Sequence, residues 1–321
     1  MQHLADHIKH HNLRSDNTLH VIGVIENPMR YHSRYRLFRE WYEAMLKTPN
    51  VEVYVVEAAY QDRHFEVTDL NNPNHLQLHS HQPIWHKEGM FNLAVKHLIP
   101  KDAKYIGCSD TDIFFDNPHW AQEAMHQMQD YSVIQPWSDC VDLGFRGRVL
   151  KHFKSFCYQH QRGVPKQTHP SQPYEYAHSG YIWCYRRDFW EAVRGNMDFC
   201  ILGSADHHQA FATIGQVNRT IKHGMHPNFF KLCHEWQYRA YRHTNGLLGY
   251  VPGFIKHKHH GKKANRKYRE RWDILIKNHF DPIKDLVHDT QGMVKLIGKP
   301  HLLHACRKYM LERHEDDVCD W

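Results

Sequence analysis

Residues 104–115 read KYIGCSDTDIFF, and this stretch decides the fold class. Tyr105 to Cys108 is a short apolar run, and Ser109-Asp110-Thr111-Asp112 follows before the chain turns apolar again at Ile113. A run this short, closed at once by polar residues, reads as a buried strand with its exit loop. On an extended segment, residues two apart point the same way, so Asp110 and Asp112 are expected to present their carboxylates together. Paired carboxylates just beyond a strand suit a hard divalent cation with oxygen ligands.

Similar elements lie on both sides. Leu19 to Ile25 is apolar and is stopped by Glu26-Asn27-Pro28, as at the end of a buried strand. Phe38, Trp41, Tyr42, Met45 and Leu46 then recur at helical spacing, with Ser33 as the expected N-cap. Val51 to Ala59 is a second strand, Gln61 to Pro83 reads as irregular, and Phe91, Ala94, Val95 and Leu98 mark a helix face. Ala121, Ala124, Met125 and Met128 mark another. Strands alternating with helices predict an α/β protein whose sheet is mostly parallel and flanked by helices. Further on, the expected elements are a strand at Ser132–Pro136, a helix near Arg146–His160 and a polar loop at Gln161–Tyr176. A strand at Ser179–Tyr185 and a helix at about Ser204–Ile214 follow. The next helix carries Tyr268, Trp272, Leu275 and Ile276 on its apolar face, and a last one starts after Pro300. The expected division is an N-terminal extension (1–18), one domain (19–285) and a helical C-terminal extension (286–321).

Composition narrows the function classes. With 321 residues, 41% hydrophobic and 24% charged, the chain has the make-up of a globular protein and not of a disordered, collagenous or coiled-coil one. No run reaches the roughly 18 apolar residues of a membrane span, and residues 1–12, MQHLADHIKHHN, lack a signal-peptide core. The expectation is a soluble cytoplasmic protein with no membrane partner. Eight cysteines without a C-x-x-C pair are expected to be free thiols. Between Lys256 and Trp272 stand eight Lys/Arg and one Glu, more positive charge than the whole chain's net +6. Such a patch attracts phosphate, and the alternative is a solvated basic face.

Three further segments carry candidate chemistry. In Gly203-Ser204-Ala205-Asp206, Ser204 is an expected helix cap, and Asp206 is either a first-turn partner of the helix dipole or a catalytic base aimed at an acceptor hydroxyl. In His257-Lys258-His259-His260-Gly261-Lys262-Lys263, an imidazole can complete a metal site, and Lys262 and Lys263 can neutralise a departing diphosphate. In open α/β sheets ligands lie beyond the carboxyl ends of the strands. Asn27, Pro28, Arg30 and Arg34, with Glu57 at the end of the second strand, are therefore expected to border the crevice of Asp110 and Asp112. Neither a P-loop nor a G-x-G-x-x-G dinucleotide motif is present.

With these motifs the chain resembles the GT-A type nucleotide-sugar glycosyltransferases, Asp110-Thr111-Asp112 matching their D-x-D. The resemblance implies Mn²⁺ or Mg²⁺ on Asp110 and Asp112, a donor diphosphate over it, and Asp206 as the base of an inverting transfer. A late histidine, His257 or His260 with His259 also in reach, is implied as a further ligand. Trp85-His86-Lys87-Glu88 with Asn92, Gln135-Pro136-Trp137-Ser138 and the His260 to Trp272 region look like a phage and bacterial branch associated with base J and other DNA modification. That likeness adds Lys87 to the donor-binding residues and implies hydroxymethylpyrimidine in double-stranded DNA as acceptor, met by Arg266, Arg269 and Arg271. On that branch the cytoplasm is a bacterial host's. A glycan, protein or small-molecule acceptor is the alternative. A metal-dependent phosphodiesterase and a non-catalytic DNA-binding protein are the other classes the same residues allow.

Overall fold

A computed structural model describes residues 17–163 and 177–318. Residues 1–16 of the expected N-terminal extension and residues 164–176 of the expected polar loop lie outside the described residues. The main sheet has seven strands. Four of them, β4 (Tyr105–Ser109), β1 (Leu19–Glu26), β2 (Val51–Tyr60) and β3 (His75–Ser80), run side by side and parallel. Beyond β4 lie β10 (Ile182–Arg186), antiparallel to both its neighbours, then β6 (Val133–Gln135) and β11 (Gly249–Tyr250). The α/β expectation of a mostly parallel sheet flanked by helices holds.

The sheet is buried on both faces because alternate residues serve two cores. Val21, Val53 and Val55 join Phe38, Trp41 and Trp120 of the helices α1 (His32–Leu46) and α3 (Trp120–Asp130). Ile22, Val24, Tyr54 and Val56 face the other core. That core receives α2 (Lys87–His97), α4 (Phe156–Gln161), α5 (Arg187–Val193), α6 (Ala205–Thr213), α7 (Pro227–Thr244), α8 (Arg271–Lys277) and α9 (Pro300–Leu311). Gly23 makes room for the Trp41 ring of α1. A Cβ there would stand 2.3 Å from the Trp41 ring. Gly23→Ala is expected to lower the unfolding free energy by about 1–3 kcal/mol, the usual cost of overpacking, as read by urea denaturation.

Several local expectations are corrected. Arg146–His160 is not one helix: Val149 to Ser155 alternates and forms strand β8 before the short α4. The stretch 61–83 contains β3, and α7, absent from the expected elements, is signalled by Pro227 at its start and by Phe229, Cys233, Trp236 and Ala240 on its buried face. Tyr268 precedes α8, which begins only at Arg271. Ser33 does not cap α1. The cap residue is Tyr31, and the free amides of His32 and Ser33 donate to the Asp316 carboxylate at 2.8 and 2.7 Å. A partner 283 residues away leaves no local signal. The seven described cysteines are free, as expected, and all seven are buried.

At the carboxyl end of β1, His86 joins three elements. Its Nδ1 is 2.6 Å from Glu26 Oε1 and its Nε2 is 3.0 Å from the Val294 carbonyl, which lies in the hairpin β13 (Leu286–His288) and β14 (Val294–Leu296). Both nitrogens face acceptors, so the imidazolium is the form that satisfies both. Burial opposes the charge, but Glu26 outweighs it and raises the pKa. A raised folded-state pKa gives stability that is fully present below the unfolded value near 6.5 and is lost as pH rises through the folded value. The stability difference between the protein and His86→Gln is therefore expected to shrink from pH 6 towards pH 9 in urea denaturation.

Candidate functional site

A second sheet sits across the carboxyl end of the first and carries the site. It runs β5 (Ile113–Phe115), β12 (Phe254–His257), β7 (Asp139–Leu143), β8 (Val149–Ser155), β9 (Ala177–His178). In its register His257 lies between Ile113 and Asp142. Asp112 precedes Ile113, and the Lys258 amide donates to the Asp112 carbonyl at 2.9 Å, which fixes Asp112 beside His257. Three residues further on the chain delivers His260.

Among the described residues, Asp112, His257 and His260 offer ligand atoms within 4.8 Å of one another. His257 Nδ1 donates to Asp142 Oδ1 at 2.5 Å, leaving Nε2 3.7 Å from Asp112 Oδ2. His260 Nε2 is 2.8 Å from the same oxygen, and Asp112 Oδ1 is buried with no partner. A carboxylate behind a histidine, with the other ring nitrogen turned to a common point, is how metal-ligating imidazoles are held. The residues therefore fit a divalent ion, and one carboxylate oxygen with two imidazole nitrogens is a donor set that several first-row ions accept, Mn²⁺ among them.

The electrostatics agree with a site that wants a cation. Burial would raise the Asp112 pKa, yet His257 and His260 hold it well below the usual carboxylate range. Burial works against protonation of His257, but Asp112 and Asp142 push its pKa up to about 9. Asp142 is lowered too: His257 and Lys263, whose Nζ is 2.5 Å away, outweigh its burial. Arg266 Nη2 donates to His260 Nε2 at 2.7 Å, so this contact and a bound ion are alternatives for one lone pair.

Asp110 does not join this group. After β4 ends at Ser109 the chain turns at Thr111 and Asp112, so extended alternation fails and the two carboxylates part. Asp110 instead accepts from Lys87 Nζ at 2.8 Å, at the start of α2. Lys87 is thereby an ion-pair partner as well as a cleft residue. His259 points away, its Nε2 2.8 Å from the Asp317 carbonyl.

The cleft above these residues has a volume of about 1240 Å³ and is lined by Asp110, Asp112, Asp206, Lys87, Arg34, Lys263, Arg266, Arg269 and Arg271 among others. It unites most of the residues expected from sequence. Asn27, Pro28, Arg30, Glu57 and Lys262, expected to bind the donor, are not in its lining. Asn27 closes its own turn through Tyr31, donating to its carbonyl at 2.8 Å and accepting from its amide at 2.9 Å. Pro28 lies with it at a separate small hollow, and Arg30 is exposed. Glu57 accepts from the amides of Glu66, Val67 and Thr68 and so organises the loop after β2.

Asp206 opens α6 and reaches the cleft. Ser204 makes no cap bond; held at φ 78°, it turns its hydroxyl to Arg271 and to Trp272 Nε1 at 3.1 Å. Burial raises the Asp206 pKa, Lys87 opposes that rise and Asp110 adds to it. Beside it, burial and Arg271 hold His207 neutral, with a pKa lowered to about 4. Glu88, deeply buried near Lys87 and Asp206, is pushed up to about 7 by burial.

The basic residues divide differently from the sequence expectation. Arg266 and Arg271 are buried and are not on one helix face: Arg266 lies in a 3-10 turn bonded to Tyr268 and His260, and Arg271 is bonded to Ser204 and Tyr309. Arg269 alone of the three is exposed. Asp142, Glu315 and Arg313 are site residues the sequence reading missed. The signal for Asp142 was a carboxylate among Cys140, Val141 and Leu143 of a strand that also opens on Asp139; Glu315 and Arg313 sit in a charged tail with nothing to mark them.

No protein family matches the chain by sequence, and no curated protein does. Solved structures resemble it distantly. A mannosyltransferase from Pyrobaculum calidifontis in complex with GDP-Man and Mn²⁺ is 15% identical over 92% of this chain and 72% of its own, with a TM-score of 0.41. A putative nucleotide-diphospho-sugar transferase from Desulfovibrio desulfuricans is 11% identical over 91% and 96%, with a TM-score of 0.35. For the catalytic domain of a Drosophila beta-1,4-galactosyltransferase 7 in complex with xylobiose, the identity is 13% and the TM-score 0.32. The match spans 63% of this chain and 62% of the Drosophila one. No helix among the described residues is long and apolar enough to cross a membrane.

Proposed function

We propose that this protein is a metal-dependent glycosyltransferase that moves a sugar from a nucleotide donor, UDP-linked by preference, to an acceptor hydroxyl. The observation that carries this reading is the convergence of Asp112, His257 and His260 in one cleft with the half-buried carboxylate of Asp206. The D-x-D resemblance adds support. When bound, Mn²⁺ or Mg²⁺ supplies positive charge for the departing diphosphate. The chain's own residues do the rest. Asp112, His257 and His260 hold the ion, and Lys263 and Arg266 add positive charge at the same end of the cleft. Asp206 takes the acceptor proton, its raised pKa making it a stronger base than an exposed carboxylate. Lys87 binds Asp110 and, by its charge, restrains the rise in the Asp206 pKa.

A donor screen tests this reading. With Mn²⁺ and each common nucleotide sugar in turn, one donor is expected to release its nucleoside diphosphate. Hydrolysis of a phosphodiester to a phosphomonoester and an alcohol, independent of any sugar nucleotide, would instead make the protein a phosphodiesterase.

The hydroxymethylpyrimidine acceptor in DNA rests on the branch resemblance, because Arg266 and Arg271 are committed inside the fold. Each phosphate contact contributes about one unit to the salt slope of DNA binding. Neutralising Arg266, Arg269 and Arg271 together is therefore expected to change that slope by about one unit, from Arg269, and to lower thermal stability. A change of three units would place all three on the backbone and favour DNA as acceptor over a glycan, protein or small molecule.

A further inference from the structure

The last described residues of the chain close on the metal centre. Glu315 is 2% exposed and accepts from Arg34 through Nε and, at 2.8 Å, Nη2, and from Arg313 Nε at 2.5 Å. Its Oε2 is 3.6 Å from His260 Nδ1, a charge contact longer than a hydrogen bond. His260 Nε2 faces a donor, Arg266 at 2.7 Å, and an acceptor, Asp112 Oδ2 at 2.8 Å, and an ion bound there would take its lone pair and leave the ring proton on Nδ1, towards Glu315.

His257 is arranged in the same way, with Asp142 at Nδ1 and Nε2 towards Asp112. Each imidazole thus has its own buried carboxylate behind it, and each carboxylate is neutralised by cations, Asp142 by Lys263 and Glu315 by Arg34 and Arg313. The docking of the tail is tight. Gly261 has φ 76°, and a Cβ there would stand 2.6 Å from the His314 carbonyl oxygen and 2.8 Å from Glu315 Cα. The tail is also latched to α1, through Asp316 and through Ser33 Oγ donating to the Glu315 carbonyl at 2.9 Å.

We propose that Glu315 is a positioning residue that fixes His260 for metal binding, so that the C-terminal segment Arg313–Asp317 completes the metal centre. The inference rests on the metal-dependent reading of the cleft. Outer carboxylates of this kind typically change metal affinity by about 10–100-fold when removed.

The test is Mn²⁺ binding to the full chain, followed by the loss of the free-ion EPR signal. Glu315→Gln is expected to weaken Mn²⁺ binding by about 10–100-fold. Asp316→Asn, at an exposed latch outside the cleft, is expected to weaken it in the same direction by a smaller factor, and it decides the matter if Glu315→Gln does not fold. A lower melting temperature with unchanged Mn²⁺ affinity in the folded variants would make the tail purely structural and overturn the inference alone. No Mn²⁺ binding by the unaltered protein would overturn the metal-dependent reading and the inference with it.

Discussion

Asp112→Asn is expected to abolish donor turnover and to weaken Mn²⁺ binding by more than the roughly hundredfold that an outer carboxylate commands. Asp112 is the residue both imidazoles face, and its Oδ1 is buried without a partner, so it is the anionic member of the ligand group. Asparagine keeps the shape and removes the charge. The fold should survive, since His257 remains bonded to Asp142 and the Asp112 main chain remains paired with Lys258. Calorimetric Mn²⁺ titration and nucleoside diphosphate release read the two effects separately. Full turnover by the variant, or by the unaltered protein in a chelator, would remove the ion from the chemistry.

Asp206→Asn should lower transfer by about 10²–10⁴-fold, the usual range for loss of a general base. Metal and donor binding should hardly change, because Asp206 is not in the metal group and its proposed partner is the acceptor hydroxyl. Its structural alternative is a favourable first-turn charge on α6, worth about 0.3–1 kcal/mol. The two roles separate cleanly: loss of turnover at unchanged melting temperature identifies the base, whereas a lower melting temperature with normal turnover identifies the helix partner.

The contrast between Asp110 and Asp112 shows where sequence reasoning stops. Their spacing predicts a shared ion only if the backbone stays extended through Thr111, and it turns there. Asp142 was legible in principle, as an acid beside Cys140, Val141 and Leu143 in a short strand, but its partner His257 is 115 residues distant. Arg266 and Arg271 looked like a polyanion surface because charge pattern reports sign and spacing and leaves burial unread. Burial was set by Tyr268, Tyr309 and Ser204, which come from three separate parts of the chain.

Sequence alone determined the alternation of apolar strands and helices, the carboxylates after β4, the acid opening α6 and the histidine run after β12. These follow from local periodicity and from residue chemistry over a few positions. Only the tertiary structure decided which of them meet. The second sheet's register places His257 between Ile113 and Asp142, and so beside Asp112, and the C-terminal tail brings Glu315 to within 3.6 Å of His260. Such pairings come from the packing of distant segments, whose free energy depends on contacts that no local pattern encodes.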